Sequence, residues 1–197
     1  MRHWRVSTKN FMKGIVFTEF IEMVENQFGI ELTDRVITSS DLASGGAYTA
    51  VGSYDHREML SMVTNLSKET NIPVADLSRV FGSYLFERFT SIYPQFFADI
   101  DNALDMLARI DDYIHMEVRK LYSDAELPRV LCERLPSGDM RLTYRSARPF
   151  ADVADGLIRC CIKHFNEPIN VTRAENTPDS THAVFLLTRY AKWDWTL

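Results

Sequence analysis

Apolar positions recur at helical intervals through the first part of the chain and then give way to alternation. In 13–28, Ile15, Phe17, Phe20, Ile21, Val24 and Phe28 fall near a 3.6-residue period and Gly29 follows as a stop, which predicts an amphipathic helix. Residues 38–54 are rich in Ser, Gly and Thr and read as a loop. A second helix is expected at 55–70, with Met59, Met62, Val63 and Leu66 inward. A third, opened by Pro73, spans 73–92 and carries Leu77, Val80, Phe81, Leu85, Phe86 and Phe89. Pro94 breaks it. A long helix is expected at 99–122, with Leu104, Leu107, Ile110, Ile114, Val118 and Leu121 along one side.

Beyond that point 128–135 and 140–146 read as strands, joined by the turn Pro136-Ser137-Gly138-Asp139. Residues 149–165 return to helical spacing, and 168–175 with 182–190 form a second hairpin around the loop 176–180. Helices first, then two hairpins flanking a helix, predict an α+β fold. Its helical N-terminal subdomain covers about 12–98, and its C-terminal subdomain, about 99–190, carries an antiparallel four-stranded sheet with helices. Residues 1–11 read as an N-terminal extension and 191–197 as a C-terminal tail, and no internal repeat or low-complexity segment is present.

Composition narrows the function. A chain of 197 residues fits one domain with room for two subdomains and ample apolar material for a core. A net charge of -5 without a basic stripe argues against nucleic acid as the main partner. No apolar run approaches the roughly 20 residues of a membrane span, and the basic start lacks the apolar stretch of a secretory signal, so a cytoplasmic protein is expected. Cys132, Cys160 and Cys161 do not make a disulfide framework and read as buried reduced thiols; Cys160 and His164, four apart, are too few for a structural zinc site.

The chemistry concentrates around His115. Alone, a histidine bordering an apolar stripe is more often a satisfied core residue than a ligand. Pro128 lies thirteen residues on, and Tyr144-Arg145-Ser146-Ala147-Arg148 begins twenty-nine residues on. Tyr144, Ser146 and Arg148 alternate onto one side of a strand end, where two hydroxyls and a guanidinium can grip carboxylates; alone, a solvated polar strand face is the commoner reading. One imidazole ligand plus one carboxylate clamp is what a protein needs to hold haem. His3, His56, His164 and His182 show no zinc-enzyme spacing, and there is no nucleophile elbow, phosphate loop or C-x-x-C pair. Asp99, Asp101 and the pair Asp111-Asp112 read as helix-dipole partners and solvated charges.

Taken together, these residues resemble the haem nitric oxide/oxygen-binding family, the H-NOX proteins, whose eukaryotic counterpart is the haem domain of the soluble guanylate cyclase β subunit. The resemblance covers about residues 12–190. Met12-Lys13-Gly14-Ile15-Val16-Phe17 is similar to the family's start. Asp112-Tyr113-Ile114-His115, followed by Glu117-Val118 and Lys120-Leu121-Tyr122, is similar to the proximal helix. Leu127-Pro128 resembles the proline that presses on the porphyrin, and Tyr144-x-Ser146-x-Arg148 the propionate clamp. The resemblance implies haem b seated between the subdomains with His115 as the iron ligand. It implies Tyr144, Ser146 and Arg148 on the propionates, Pro128 against the macrocycle, and a distal pocket at Val16, Phe20, Leu85, Val153 and Leu157. Oxygen-binding members place a tyrosine where this chain has Val153. An apolar set without that donor is therefore expected to favour nitric oxide, to bind carbon monoxide more weakly and to form no stable oxygen complex.

The resemblance further implies a sensor and not an enzyme. Nitric oxide binding would weaken the bond to His115, releasing the 99–122 helix and letting the haem relax against Pro128. Because the chain ends soon after the last strand, the readout is expected in a separate protein, by analogy a sensor histidine kinase or a cyclic-di-GMP enzyme. Some bacterial relatives carry a cysteine-rich zinc site near the C-terminal hairpin; 171–184 holds His182 and no cysteine, so none is expected. Three other readings compete with this one. A haem peroxidase or nitric oxide scavenger would need a distal acid–base group, a cofactor-free interaction module would leave His115 in a core, and a thiol switch would use Cys160 and Cys161.

Overall fold

The computed structural model describes residues 11–190; of the expected extension at 1–11 all but Phe11, His3 included, and the whole tail at 191–197 lie outside the described residues. The chain divides into two compact units.

The first unit comprises the residues up to Leu77 together with Tyr122–Glu126. A short strand β1 (Phe11–Lys13) pairs antiparallel with β2 (Ser53–Asp55). Between them run α1 (Gly14–Phe28) and α2 (Ile30–Ser39), separated by Gly29 at φ 85°, a left-handed position suited to glycine. The Asp55 carboxylate caps α3 (His56–Thr70), accepting from the Arg57 N–H at 2.9 Å. Phe17, Phe20, Met23 and Val24 of α1 and Met59, Met62, Val63 and Leu66 of α3 are buried. Each such side chain contributes roughly 1.5–3 kcal/mol of apolar burial.

The α1 start shows why Lys13 and Gly14 stand where they do. A Cβ at Gly14 would lie 1.9 Å from the Thr49 carbonyl oxygen, so only glycine admits the loop there. The Lys13 ammonium donates to Val51 O, Ser53 Oγ and Asp124 Oδ2 at 3.0–3.1 Å, tying β1 to two other segments of its unit.

The second unit comprises Ser78–Leu121 and the residues from Leu127 on. It holds most of α4 (Val74–Ile92), a 3-10 turn at Pro94–Phe96, and α5 (Ala103–Ala108) capped by Asn102. A π-helical segment, Ile110–Ile114, then leads into α6 (His115–Leu121). The sheet follows, with β3 (Arg129–Arg134), β4 (Met140–Arg145), β5 (Ile169–Asn176) and β6 (His182–Arg189), and α7 (Ala151–His164) lies between the hairpins in sequence. The strand order is β3-β4-β6-β5, antiparallel throughout. The α+β reading with an antiparallel four-stranded sheet is thus correct. Met140, Leu142 and Tyr144 alternate inward with Arg141 and Arg145 outward. They join Leu104, Leu107, Ile158, Cys161, Phe185 and Leu187 in the core.

Three expectations about elements need correction. The segment after Gly29 is a helix and not an unassigned stretch, and 38–54 is loop only between α2 and β2. The single helix expected at 99–122 is three pieces: α5, the π segment and α6. Val80 and Leu121, assigned to inward stripes, are 40% and 57% exposed.

Candidate functional site

The π segment sets the position of His115. The Ile114 N–H donates to Arg109 O at 3.1 Å and the His115 N–H to Ile110 O, each spanning five residues and so widening the turn. His115 opens α6 and is that helix's one buried residue, 8% exposed. Its Nδ1 lies 3.1 Å from Asp111 Oδ1. Burial pushes the imidazole pKa down, Asp111 opposes this, and the net shift is downward. The ring is therefore neutral at neutral pH, as metal ligation requires. Asp111 is pulled the other way. Burial raises its carboxyl, but hydrogen bonds from His115, the Val130 N–H and Arg129 outweigh burial and hold it below the usual carboxylate range. An ionised Asp111 accepts, so the proton sits on His115 Nδ1. Among the described residues Nε2 then makes no hydrogen bond.

Sequence reasoning took Asp111 for a solvated charge. Instead it accepts from His115, from Arg129 Nη1 at 3.2 Å and from the Val130 N–H at 3.4 Å. The signal available was its spacing, four residues before His115.

Tyr144, Ser146 and Arg148 come together where β4 leads toward α7. Tyr144 and Arg148 are buried, 4% and 6% exposed. The Ser146 N–H donates to Thr181 O at 2.8 Å, and Ser146 Oγ accepts from the Arg148 N–H at 3.0 Å. The Tyr144 phenol is pushed up by burial, while a hydrogen bond with Ser146 and the Arg148 charge pull it back in part. This run is a folded turn with a buried guanidinium, not the solvated strand face that alternation alone favours. Pro128 is half-buried immediately before β3.

The expected pocket residues fall in both units. Val16 and Phe20 lie on α1 in the first unit, half-buried and 1% exposed. In the second unit α4 and α7 meet backbone to backbone. A Cβ at Gly82 would lie 2.1 Å from Val153 O, and one at Gly156 2.0 Å from Arg79 O. Leu85, one turn beyond Gly82, is buried, and Val153 and Leu157 are half-buried on α7. Neither glycine was singled out from the sequence, although an isolated glycine within a helical pattern is a recognised signal of close approach.

A buried neutral imidazole with an uncommitted Nε2 and a buried arginine whose charge acts on the Tyr144 phenol, with Ser146 bonded to its backbone, fit the needs of haem. Among the described residues no cluster of three or more His, Cys, Asp or Glu could hold a metal ion, and no helix is long and apolar enough to cross a membrane.

Comparison with known proteins agrees. The haem-NO-binding family model matches residues 13–173. An H-NOX protein from K. algicida, solved as the unliganded Fe(II) form, is 36% identical with TM-score 0.86, covering 92% of this chain and 98% of that one. The H-NOX from Shewanella woodyi, solved with IWP-051 in the Fe(II)CO state, is 42% identical with TM-score 0.78, covering 94% and 98%. An H-NOX protein from S. oneidensis in the Fe(II)NO state is 26% identical with TM-score 0.84, covering 91% and 100%. Among curated proteins no match was found. The fold is that of a haem-binding gas-sensor domain family. The chain belongs to the haem-NO-binding, or H-NOX, family.

Proposed function

We propose that this chain is a haem-based nitric oxide sensor that regulates a separate signalling protein and catalyses no reaction of its own. The observation that carries the reading is His115: buried, neutral, its Nδ1 committed to Asp111 and its Nε2 left for a metal. Bound haem b would supply a ferrous iron able to take a diatomic gas. His115 would hold that iron from one side. Arg148, with Tyr144 and Ser146, would meet the propionates through charge-assisted hydrogen bonds, and Pro128 would press on the macrocycle edge.

On the gas side Val16, Phe20, Leu85, Val153 and Leu157 offer no donor. An oxygen complex needs one to stabilise its partial negative charge, and its absence costs ~1.5–3 kcal/mol. Nitric oxide depends far less on such a bond. The chain therefore selects nitric oxide, takes carbon monoxide more weakly and forms no stable oxygen complex. His115 would be the protein's hold on the iron, and a gas that loosened that hold would free α6, which His115 opens. A sensor histidine kinase or a cyclic-di-GMP enzyme in the cytoplasm is the partner class.

The test is one absorption spectrum of the reduced protein, before and after nitric oxide and then in air. The reading expects a coloured protein whose spectrum shifts with nitric oxide and shows no persistent oxygenated form. Protein that stays colourless when expressed with hemin overturns it.

A further inference from the structure

Asp111 does two things that the haem reading does not account for. It holds His115 Nδ1, and it reaches across to the first residues of β3. Its side chain is only 13% exposed, and all three of its donors lie in one compact unit. We infer that Asp111 is the positioning residue for His115, fixing the ring's tautomer and donor strength and coupling the imidazole mechanically to β3. The inference rests on the haem reading, since it concerns His115 as an iron ligand.

In a regular α-helix, residues four apart lie about 40° apart around the axis, so their side chains stack but do not face each other squarely. The five-residue hydrogen bonds through Ile110–Ile114 open the turn between Asp111 and His115. Widened single turns of this kind are frequent at functional sites. A carboxylate on the Nδ1–H of a ligating imidazole orients the ring and makes Nε2 a stronger donor. Without it, nothing else among the described residues holds the ring by a hydrogen bond.

Arg129 and Val130 pair with Arg145 and Tyr144 in the β3–β4 ladder, and Pro128 immediately precedes them. A contiguous set of hydrogen bonds therefore runs from His115 through Asp111 to the strand that carries Tyr144. A shift of the imidazole pulls directly on the strand next to Pro128. Arg129 competes for the same carboxylate, from a side chain 74% exposed. It draws off part of the charge that would otherwise polarise the imidazole.

The test uses full-length, haem-loaded protein in the reduced, unliganded state and reads the iron–histidine stretching frequency by resonance Raman, together with the reduction potential. Asp111→Asn keeps the shape and removes the charge; it should lower the frequency and make the potential more positive. Arg129→Ala should move both in the opposite direction by a smaller amount. If the frequency is the same in Asp111→Asn as in the parent, Asp111 is only a strut to β3 and the inference is overturned. Should Asp111→Asn fail to fold, Arg129→Ala decides, since a surface change leaves the fold in place and an unmoved or lowered frequency refutes the role. A parent protein with no iron–histidine band at all would instead sink the haem reading, and this inference with it.

Discussion

At the scale of single residues, Val153 carries the most chemistry for its size. It is half-buried on α7, beside the backbone contact with Gly82. Val153→Tyr would add a phenol to the proposed gas side and supply a donor worth ~1.5–3 kcal/mol, or one to two decades of oxygen affinity. The expected outcome is a persistent oxygenated spectrum in air, absent in the parent; an unchanged spectrum would mean that residue identity at this position does not set ligand choice. The cysteines make a second case. Burial raises Cys132 to about 12 and raises Cys160 and Cys161 as well, so in the folded chain all three stay protonated at pH 8. Iodoacetamide should label them slowly until denaturant is added; fast labelling of the folded protein at pH 8 would revive the thiol-switch reading. The sign for stability follows. Raised thiols favour the folded state below their ordinary value of 9.0, and that contribution is lost as pH climbs above it. Histidine, clamp and proline were legible as residue types at fixed distances. The Asp111 bond was not, because a carboxylate four residues before a histidine is equally common on solvated helix faces.

At the scale of elements, what the sequence revealed depended on the strength of the period. The helices α1, α3, α4 and α7 and both hairpins were readable because long apolar stripes or clear alternation mark them. The helix α2 was missed because only Thr33 and Val36 are buried along its ten residues, too little for a visible stripe. The expected 99–122 helix breaks for the opposite reason. Ile110, Ile114 and Val118 follow at intervals of four, and that drift is compatible with both a continuous helix and a widened turn. The α4–α7 contact was invisible because it depends on atoms that glycine lacks. Gly82→Ala and Gly156→Ala would each press a methyl group against a carbonyl of the facing helix. Overpacking of this kind costs about 1–3 kcal/mol. A urea titration should show each variant's midpoint lowered, while an alanine at exposed Gly138, which has φ 86° but open space around its Cβ, tests conformational cost alone. Midpoints for Gly82→Ala and Gly156→Ala no lower than the parent's would mean that the helices part without cost.

For the molecule as a whole, the proposed release of His115 would act first on α6. The helix α6 has seven residues, well below the ~12–15 needed for a helix to persist in water unaided. Its only buried residue is His115, while Met116 and Leu121 are 50% and 57% exposed. Burial therefore anchors α6 at a single point, and that point is the proposed iron ligand. Releasing His115 removes most of what orders the element, and the loss reaches β3 through Asp111. In the haem-loaded protein, nitric oxide should raise amide hydrogen exchange across α6 and at the start of β3, leaving β5 and β6 protected. The substitution His115→Gly removes the anchor in advance and adds about 1 kcal/mol of helix-breaking cost. Its α6 should exchange fast from the outset, nitric oxide should add nothing further, and control of the partner should no longer follow the gas. If α6 in His115→Gly is as protected as in the parent and still loosens with nitric oxide, the signal leaves the haem by another route. The fixed point of the sensor would then have to be sought among the propionate contacts of Tyr144, Ser146 and Arg148.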